Sequence, residues 1–342
     1  MNNENSRGKN VFLSKLKRSN ITVIFLVLVG MVVIASISSK YFLDIFNLQS
    51  LIRDLAFIGM IAIAQSLLLL IGELDLSVGK IASLCGILGG LLMLKAGLNP
   101  YVSFVLAVLL GAVLGTINGL IITKLDLNSM VVTIGMTGVY GGINLVITKG
   151  KAITGIPESI YFLGKGAVFN IPVPFIFCIL VLLIILFFVN KTHMGRYIYA
   201  IGNSKETSKI LGIKVNRIRM YLYSIVGAIS GLAGMLYVAR LGSAQSSIGE
   251  NWPMNSIASA VIGGVALTGG VGNPAGALIG AAIIAVIQNM IVLLGVNVYW
   301  QSAVSGFIVV IAISFSSITG MISTRREEIK KIQESKKEQE NT

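Results

Sequence analysis

Few residues in this chain could carry covalent chemistry, and their positions decide which functions to consider. The only histidine, His193, stands in a basic stretch, so no H-E-x-x-H metal site, histidine-based triad or multi-histidine cluster can be assembled. No G-x-x-x-x-G-K-[ST] phosphate loop occurs, so the chain does not hold ATP by that route. Cys85 and Cys178 lie inside apolar runs and read as packing side chains. What remains is a handful of charges in apolar surroundings: Glu73 and Asp75, then Lys80, and the pair Arg53 and Asp54. A charge within a membrane is costly enough to suggest function. These charges sit near the ends of apolar runs, where an ion pair or a backbone cap is the simpler reading. Catalysis, a metal and a resident cofactor are therefore not expected.

The elements that position these residues must be membrane helices. The 342 residues are 55% apolar and 12% charged, against about 25% charge in a soluble domain. Crossing a hydrocarbon layer takes about 20 mostly apolar residues, and such runs read as ten spans: 21–39, 51–71, 76–95, 101–123, 129–148, 173–190, 220–240, 254–268, 274–295 and 299–323. The eighth is too short for a straight crossing and reads as a broken or tilted helix. With the N-terminus inside, 19 Lys and Arg fall on the cytoplasmic side and seven outside, as the positive-inside rule requires. Both termini are then cytoplasmic, and the +13 net charge calls for the membrane and its lipid rather than nucleic acid. The expected organisation is a cytoplasmic segment 1–20, a membrane domain 21–323 with a basic loop 191–219, and a charged cytoplasmic tail 324–342. The basic N-terminus before Ile21 resembles a secretory signal, but the apolar stretch is long and lacks a clear A-x-A exit, so it reads as an uncleaved helix.

Many of the 38 glycines recur at four-residue spacing, as in Gly111, Gly115 and Gly119, Gly138 and Gly142, and Gly227 and Gly231. Lipid offers helices no hydrophobic reason to associate, so small faces that pack closely supply the attraction. An internal echo aligns Ile71–Gly79 (I-G-E-L-D-L-S-V-G) with Ile262–Gly270 (I-G-G-V-A-L-T-G-G) without gaps. Paired breaks of this kind mark either a transport path, where unwound backbone is tolerated, or two tight turns. On the first reading Gly72, Asp75, Ser77, Gly263, Gly264, Thr268 and Gly269 are candidate path residues, with Asn118 among the neutral polar groups that could line it. Such groups could equally join helices by hydrogen bonds. An ion-driven carrier or channel acting without an ATPase remains the alternative at this stage.

The loop 191–219 contains G-R-Y-I-Y-A-I-G-N-S-K-E-T-S-K-I-L-G-I, in which Thr207, Ile210 and Leu211 fall at helical spacing and Gly212 could stop a short helix. Periodicity alone favours an ordinary basic loop. The whole, however, resembles the permease subunits of ribose-type ABC importers, a family that also includes xylose, galactoside and autoinducer-2 permeases. The resemblance runs from about Leu48 to Ile313 and is carried by G-E-L-D-L-S-V-G from Gly72, N-G-L-I from Asn118, T-I-G-M from Thr133 and G-R-Y-I-Y-A-I-G-N from Gly195. A-R-L-G-S-A-Q from Ala239 and I-A-S-A-V-I-G-G-V-A-L-T-G-G-V-G from Ile257 complete it. It implies an all-α polytopic type II importer permease that works as a dimer, with a second copy of itself or a sister chain. ATP would be bound by a separate cytoplasmic ATPase, docked by a coupling helix made of Gly202, Asn203, Ser204, Lys205, Glu206, Thr207, Lys209, Leu211 and Gly212. An extracellular solute-binding protein would deliver a ribose-like sugar or similar polar solute to an outer mouth that includes Gly242 to Trp252. The chain departs from the family form at Glu73, which stands where a second glycine is usual, at Val265 and Ala266, which lack hydroxyls, and at Ser204 and Thr207.

Overall fold

A computed structural model describes residues 20–297 and parts of 300–314. The helices in chain order are α1 (Asn20–Ser38), α2 (Ile45–Leu70), α3 (Val78–Leu94), α4 (Pro100–Lys124), α5 (Ser129–Thr148) and the short α6 (Tyr161–Lys165). They continue as α7 (Val173–Lys191), α8 (His193–Asn203), α9 (Lys205–Ile210), α10 (Val215–Leu241), α11 (Trp252–Ile262) and α12 (Pro274–Leu293). Four two-residue strands, β1 (Ile153–Thr154), β2 (Ala167–Val168), β3 (Ile171–Pro172) and β4 (Ser243–Ala244), form two small antiparallel ribbons, β1 with β4 and β2 with β3.

The helix starts follow from sequence chemistry. Asp44, Asn99, Asn128 and Asn273 each accept a hydrogen bond from the backbone N–H two residues on, which satisfies one of the donors a helix leaves open at its N-terminus. Pro100 and Pro274 occupy first positions, where a missing N–H costs nothing.

Among the described residues seven helices, α1, α2, α4, α5, α7, α10 and α12, are long and apolar enough to cross a membrane, and the chain is a multi-pass membrane protein. The expected count of ten is met only in part. The third expected span is a 17-residue helix, α3. The eighth, expected over 254–268, is the 11-residue α11, about 16 Å long and so half a crossing. The tenth, 299–323, lies mostly outside the described residues, as do the segment before Asn20 and the tail 324–342.

The missing half of the eighth crossing is made by irregular backbone. Ala244 lies against Gly90 and the Gly249 carbonyl against Gly79, so the stretch after α10 descends about 16 Å alongside α3. Its backbone is protected by β1 on one side, where Ala244 pairs with Ile153, and by the Lys80 ammonium, which donates to the Ser246 carbonyl at 3.3 Å. Unwound backbone at depth requires protein partners of this kind. A cluster of Phe57, Tyr237 and Trp252 then anchors the start of α11, with Phe57 and Trp252 stacked at 6.1 Å and Tyr237 edge-on to both. Arg240 lies over Phe57 and Tyr237 and pairs with Asp54.

Helix α2 is the centre of the bundle, buried from Leu55 to Leu70, as expected of a helix apolar on every side. Helices α4 and α10 approach through their glycines. A methyl group on Gly111 would stand 2.3 Å from the Gly227 carbonyl oxygen, and one on Gly115 would stand 2.1 Å from that of Tyr223. The four-residue spacing read from the sequence is thus a packing seam for these two helices. Gly138 and Gly142 of α5 differ: no atom lies within 4 Å of a methyl group at either. Cys85 and Cys178 are buried and free, with their sulfurs against Gly231 and Gly59.

Candidate functional site

The two echoing segments meet in space. The turn after α2 and the turn before α12 touch backbone to backbone: the Gly270 N–H donates to the Leu70 carbonyl at 2.9 Å. A methyl group on Gly72 would stand 3.1 Å from the Thr268 carbonyl oxygen, and one on Gly269 2.8 Å from the Gly72 nitrogen. Gly72 (φ 73°) and Gly269 (φ 92°) are left-handed, a conformation that glycine adopts without penalty. Gly263 meets Gly276 in the same way, its added methyl 2.2 Å from the Gly276 carbonyl oxygen, and Gly264 is left-handed at φ 83°.

A third segment closes on this contact. The C-terminus of α8 presses Gly202 between the other two, where an added methyl would lie 2.0 Å from the Leu70 carbonyl oxygen and 2.3 Å from the Gly270 nitrogen. The Tyr199 hydroxyl donates to the Gly272 carbonyl at 2.9 Å. Burial pushes that phenol above its ordinary pKa, so it remains a donor throughout the physiological range.

The loop 191–219 is therefore more structured than one short helix. Thr192 caps α8 by accepting from the Gly195 N–H, and Ile198 and Ile201 are buried. Their i, i+3 spacing was the sequence signal for α8. Ser204 caps α9, its hydroxyl accepting from the Thr207 N–H at 3.2 Å and donating to the Thr207 hydroxyl at 3.0 Å. Asn203 ends α8 beside Gly270. In α9 only Ser208 is buried, while Ile210 and the following Leu211 are 85% and 73% exposed. Gly212 ends the turn at φ 80° with open space around it.

Two polar clusters sit on the break after α2. In the first, Glu73 is 4% exposed, and its Oε1 accepts from Arg219 Nε at 2.6 Å and Lys205 Nζ at 2.9 Å. The sequence offered no hint of these partners, which lie in α10 and α9. In the second, Asp75 is fully buried. Its Oδ1 accepts from the Ser77 N–H at 2.7 Å and the Ser77 hydroxyl at 2.6 Å, and its Oδ2 from Asn118 Nδ2 at 3.2 Å. Asn118 also donates to the Ser77 hydroxyl at 2.8 Å and accepts from the Tyr140 hydroxyl at 2.9 Å. The network ties the start of α3 to α4 and α5, with Asp75 taking the capping role of the first turn. Tyr140 is the member that the sequence left unmarked. Both carboxylates act as the ion pair and the cap that are the simpler reading of charges near span ends.

The Asp75 network has a measurable consequence. Asn118→Leu strips a donor from Asp75 Oδ2 and from Ser77 and one of two acceptors from Tyr140, which keeps the Leu114 carbonyl at 3.0 Å, so a buried carboxylate oxygen loses its partner. The expected loss of stability is about 2–4 kcal/mol, read as a lower thermal aggregation temperature in detergent. An unchanged temperature would show that the network does not stabilise the bundle.

The site thus joins the Gly72 break, the Gly269 break and the α8–α9 elbow, while Asn118 sits one layer deeper. Among known proteins, a family model described as branched-chain amino acid transport system / permease component matches residues 47–313. The chain is 39% identical over 292 residues to the ribose import permease protein of Bacillus subtilis, covering 84% of this chain and 90% of that one. It is 32% identical over 295 residues to the D-allose transport system permease protein of Escherichia coli, covering 86% and 90% respectively. It is also 34% identical over 257 residues to the autoinducer 2 import system permease protein of Photorhabdus luminescens, covering 75% and 77%. No solved structure matches it. The chain belongs to the permease-component family of these transport systems, and it is a membrane transport subunit rather than an enzyme.

Proposed function

We propose that this chain is the membrane-spanning subunit of an ATP-driven importer for a ribose-like monosaccharide or similar small polar solute, with the type II importer fold and both termini in the cytoplasm. The observation that carries the reading is the α8–α9 elbow. A short capped helix presents two exposed apolar side chains, Ile210 and Leu211, on a basic loop, and that loop is wedged against both membrane breaks through Gly202. An exposed apolar tip of this kind suits a helix that seats in a partner's groove, here a cytoplasmic ATPase that binds the ATP. A second permease copy would complete the path, and an extracellular solute-binding protein would supply the solute. The sugar follows from the relatives named for ribose and D-allose. Asp75, Ser77 and Asn118 are fully buried, so in this reading they frame the cytoplasmic half of the path from behind. Gly72, Gly263, Gly264, Thr268 and Gly269 form its hinge. An ion-driven carrier is the weaker account, because the carboxylates of the break already have protein partners.

Gly212→Trp tests the docking helix. The first side-chain carbon at Gly212 would meet no atom within 4 Å, and the φ of 80° adds local strain of about 1–2 kcal/mol. The variant is expected to insert normally but to lose both the co-purifying ATPase and uptake. Retained uptake at normal expression would remove α9 from the docking role.

A further inference from the structure

We propose that the Lys205–Glu73 ion pair is the releasable link through which movement of α9 reaches the membrane breaks, with Arg219 as the fixed counter-charge that lets it open. The inference rests on reading α9 as the ATPase-facing helix. Glu73 Oε1 accepts from two cations of unlike burial. The Arg219 side chain is 6% exposed, the Lys205 side chain 36%. A buried carboxylate that lost its only partner would pay a heavy desolvation cost. Here the half-exposed Lys205 arm can leave for water while Arg219 keeps Glu73 paired, so opening is inexpensive and reversible.

The connection is also narrow. Among the described residues, Lys205 to Glu73 is the one side-chain hydrogen bond or ion pair from α9 to a membrane helix or break; the Ser204 and Thr207 bonds stay within the cap. From Glu73 the route inward is continuous. The next carbonyl, of Leu74, accepts from the Tyr223 hydroxyl of α10 at 3.3 Å, and Asp75 then holds α3, α4 and, through Asn118, Tyr140 of α5. A displacement of α9 is thus felt first at Glu73 and then at the start of α3, at Asn118 near the end of α4 and at Tyr140 within α5. Glu73 and Lys205 are positioning residues, which meet neither solute nor nucleotide. Two arrangements of one link, each favoured by a different position of α9, are what transmission between distant sites requires.

The test uses the complex of the chain with its co-purifying ATPase, reconstituted in vesicles with the binding protein, and reads solute imported per ATP hydrolysed. In Lys205→Met, which keeps the stem and loses the charge, solute imported per ATP hydrolysed is expected to fall about tenfold in the complexes that retain the ATPase. Lys205→Arg is expected to restore the ratio, and Glu73→Gln to lower it as Lys205→Met does. An unchanged ratio in Lys205→Met or Glu73→Gln overturns the proposal. Loss of the ATPase from Lys205→Met also overturns it, since Lys205 would then be a docking contact, as does failure of Lys205→Arg to restore. Uptake by the unmodified complex without ATP would instead sink the importer reading itself.

Discussion

Gly202→Val is expected to abolish uptake while the membrane bundle still inserts. Even the first carbon of a side chain at this position would lie 2.0 Å from the Leu70 carbonyl oxygen and 2.3 Å from the Gly270 nitrogen. Both neighbours are backbone, tied to each other by the Gly270–Leu70 hydrogen bond, so neither can rotate aside as a side-chain tip would. The strain can be relieved only by moving α8 off the two breaks, carrying α9 with it. The transmembrane helices pack extensively on one another, so their insertion is expected to survive the displacement of the elbow. Uptake assays combined with limited proteolysis separate these effects. The expected pattern is no uptake, a newly cleavable site between Lys205 and Arg217, and an intact membrane core. Wild-type uptake in Gly202→Val would mean that the elbow does not need its seat.

Gly115→Leu is expected to be the most destabilising single change in the α4–α10 seam. An added methyl at Gly115 would stand 2.1 Å from the Tyr223 carbonyl oxygen and 3.0 Å from the Gly227 Cα. Overpacking a core usually costs about 1–3 kcal/mol, and a clash with the backbone of the facing helix belongs at or above that range. The Tyr223 hydroxyl reaches the Leu74 carbonyl, so pushing α10 away also disturbs the break that carries Glu73. Little folded protein should survive extraction into detergent. Gly138→Leu is the comparison. It adds the same side chain to a glycine in the same kind of helix, but with no atom within 4 Å, and it should change the stability of the isolated chain by no more than about 0.5 kcal/mol. Equal yields of the two variants would refute the seam.

The contrast between Gly115 and Gly138 marks one boundary of what could be read in advance. Four-residue spacing identifies a smooth helix face but does not say what lies against it, since both stripes read alike along the chain. Span 254–268 marks another. Its length already excluded a straight crossing, yet nothing local showed that the preceding irregular stretch would lie along α3 between Gly90 and Gly79. Helix α8 carries a legible signal in the i, i+3 pair Ile198 and Ile201, which the charge of the surrounding stretch masks.

From composition and apolar run length alone, the chain is a helical membrane protein, because hydrocarbon admits only backbone that satisfies itself. The motif series further marks it as a permease subunit of a transport system. Tertiary structure decided how the pieces act together. It brought the two echoing breaks into contact, set Gly202 between them, and paired Glu73 with Lys205 and Arg219, which lie 132 and 146 residues away along the chain. The physical reason is range. Hydropathy and capping depend on neighbours within a turn or two, whereas a buried charge is balanced by whatever partner the fold brings within hydrogen-bond distance.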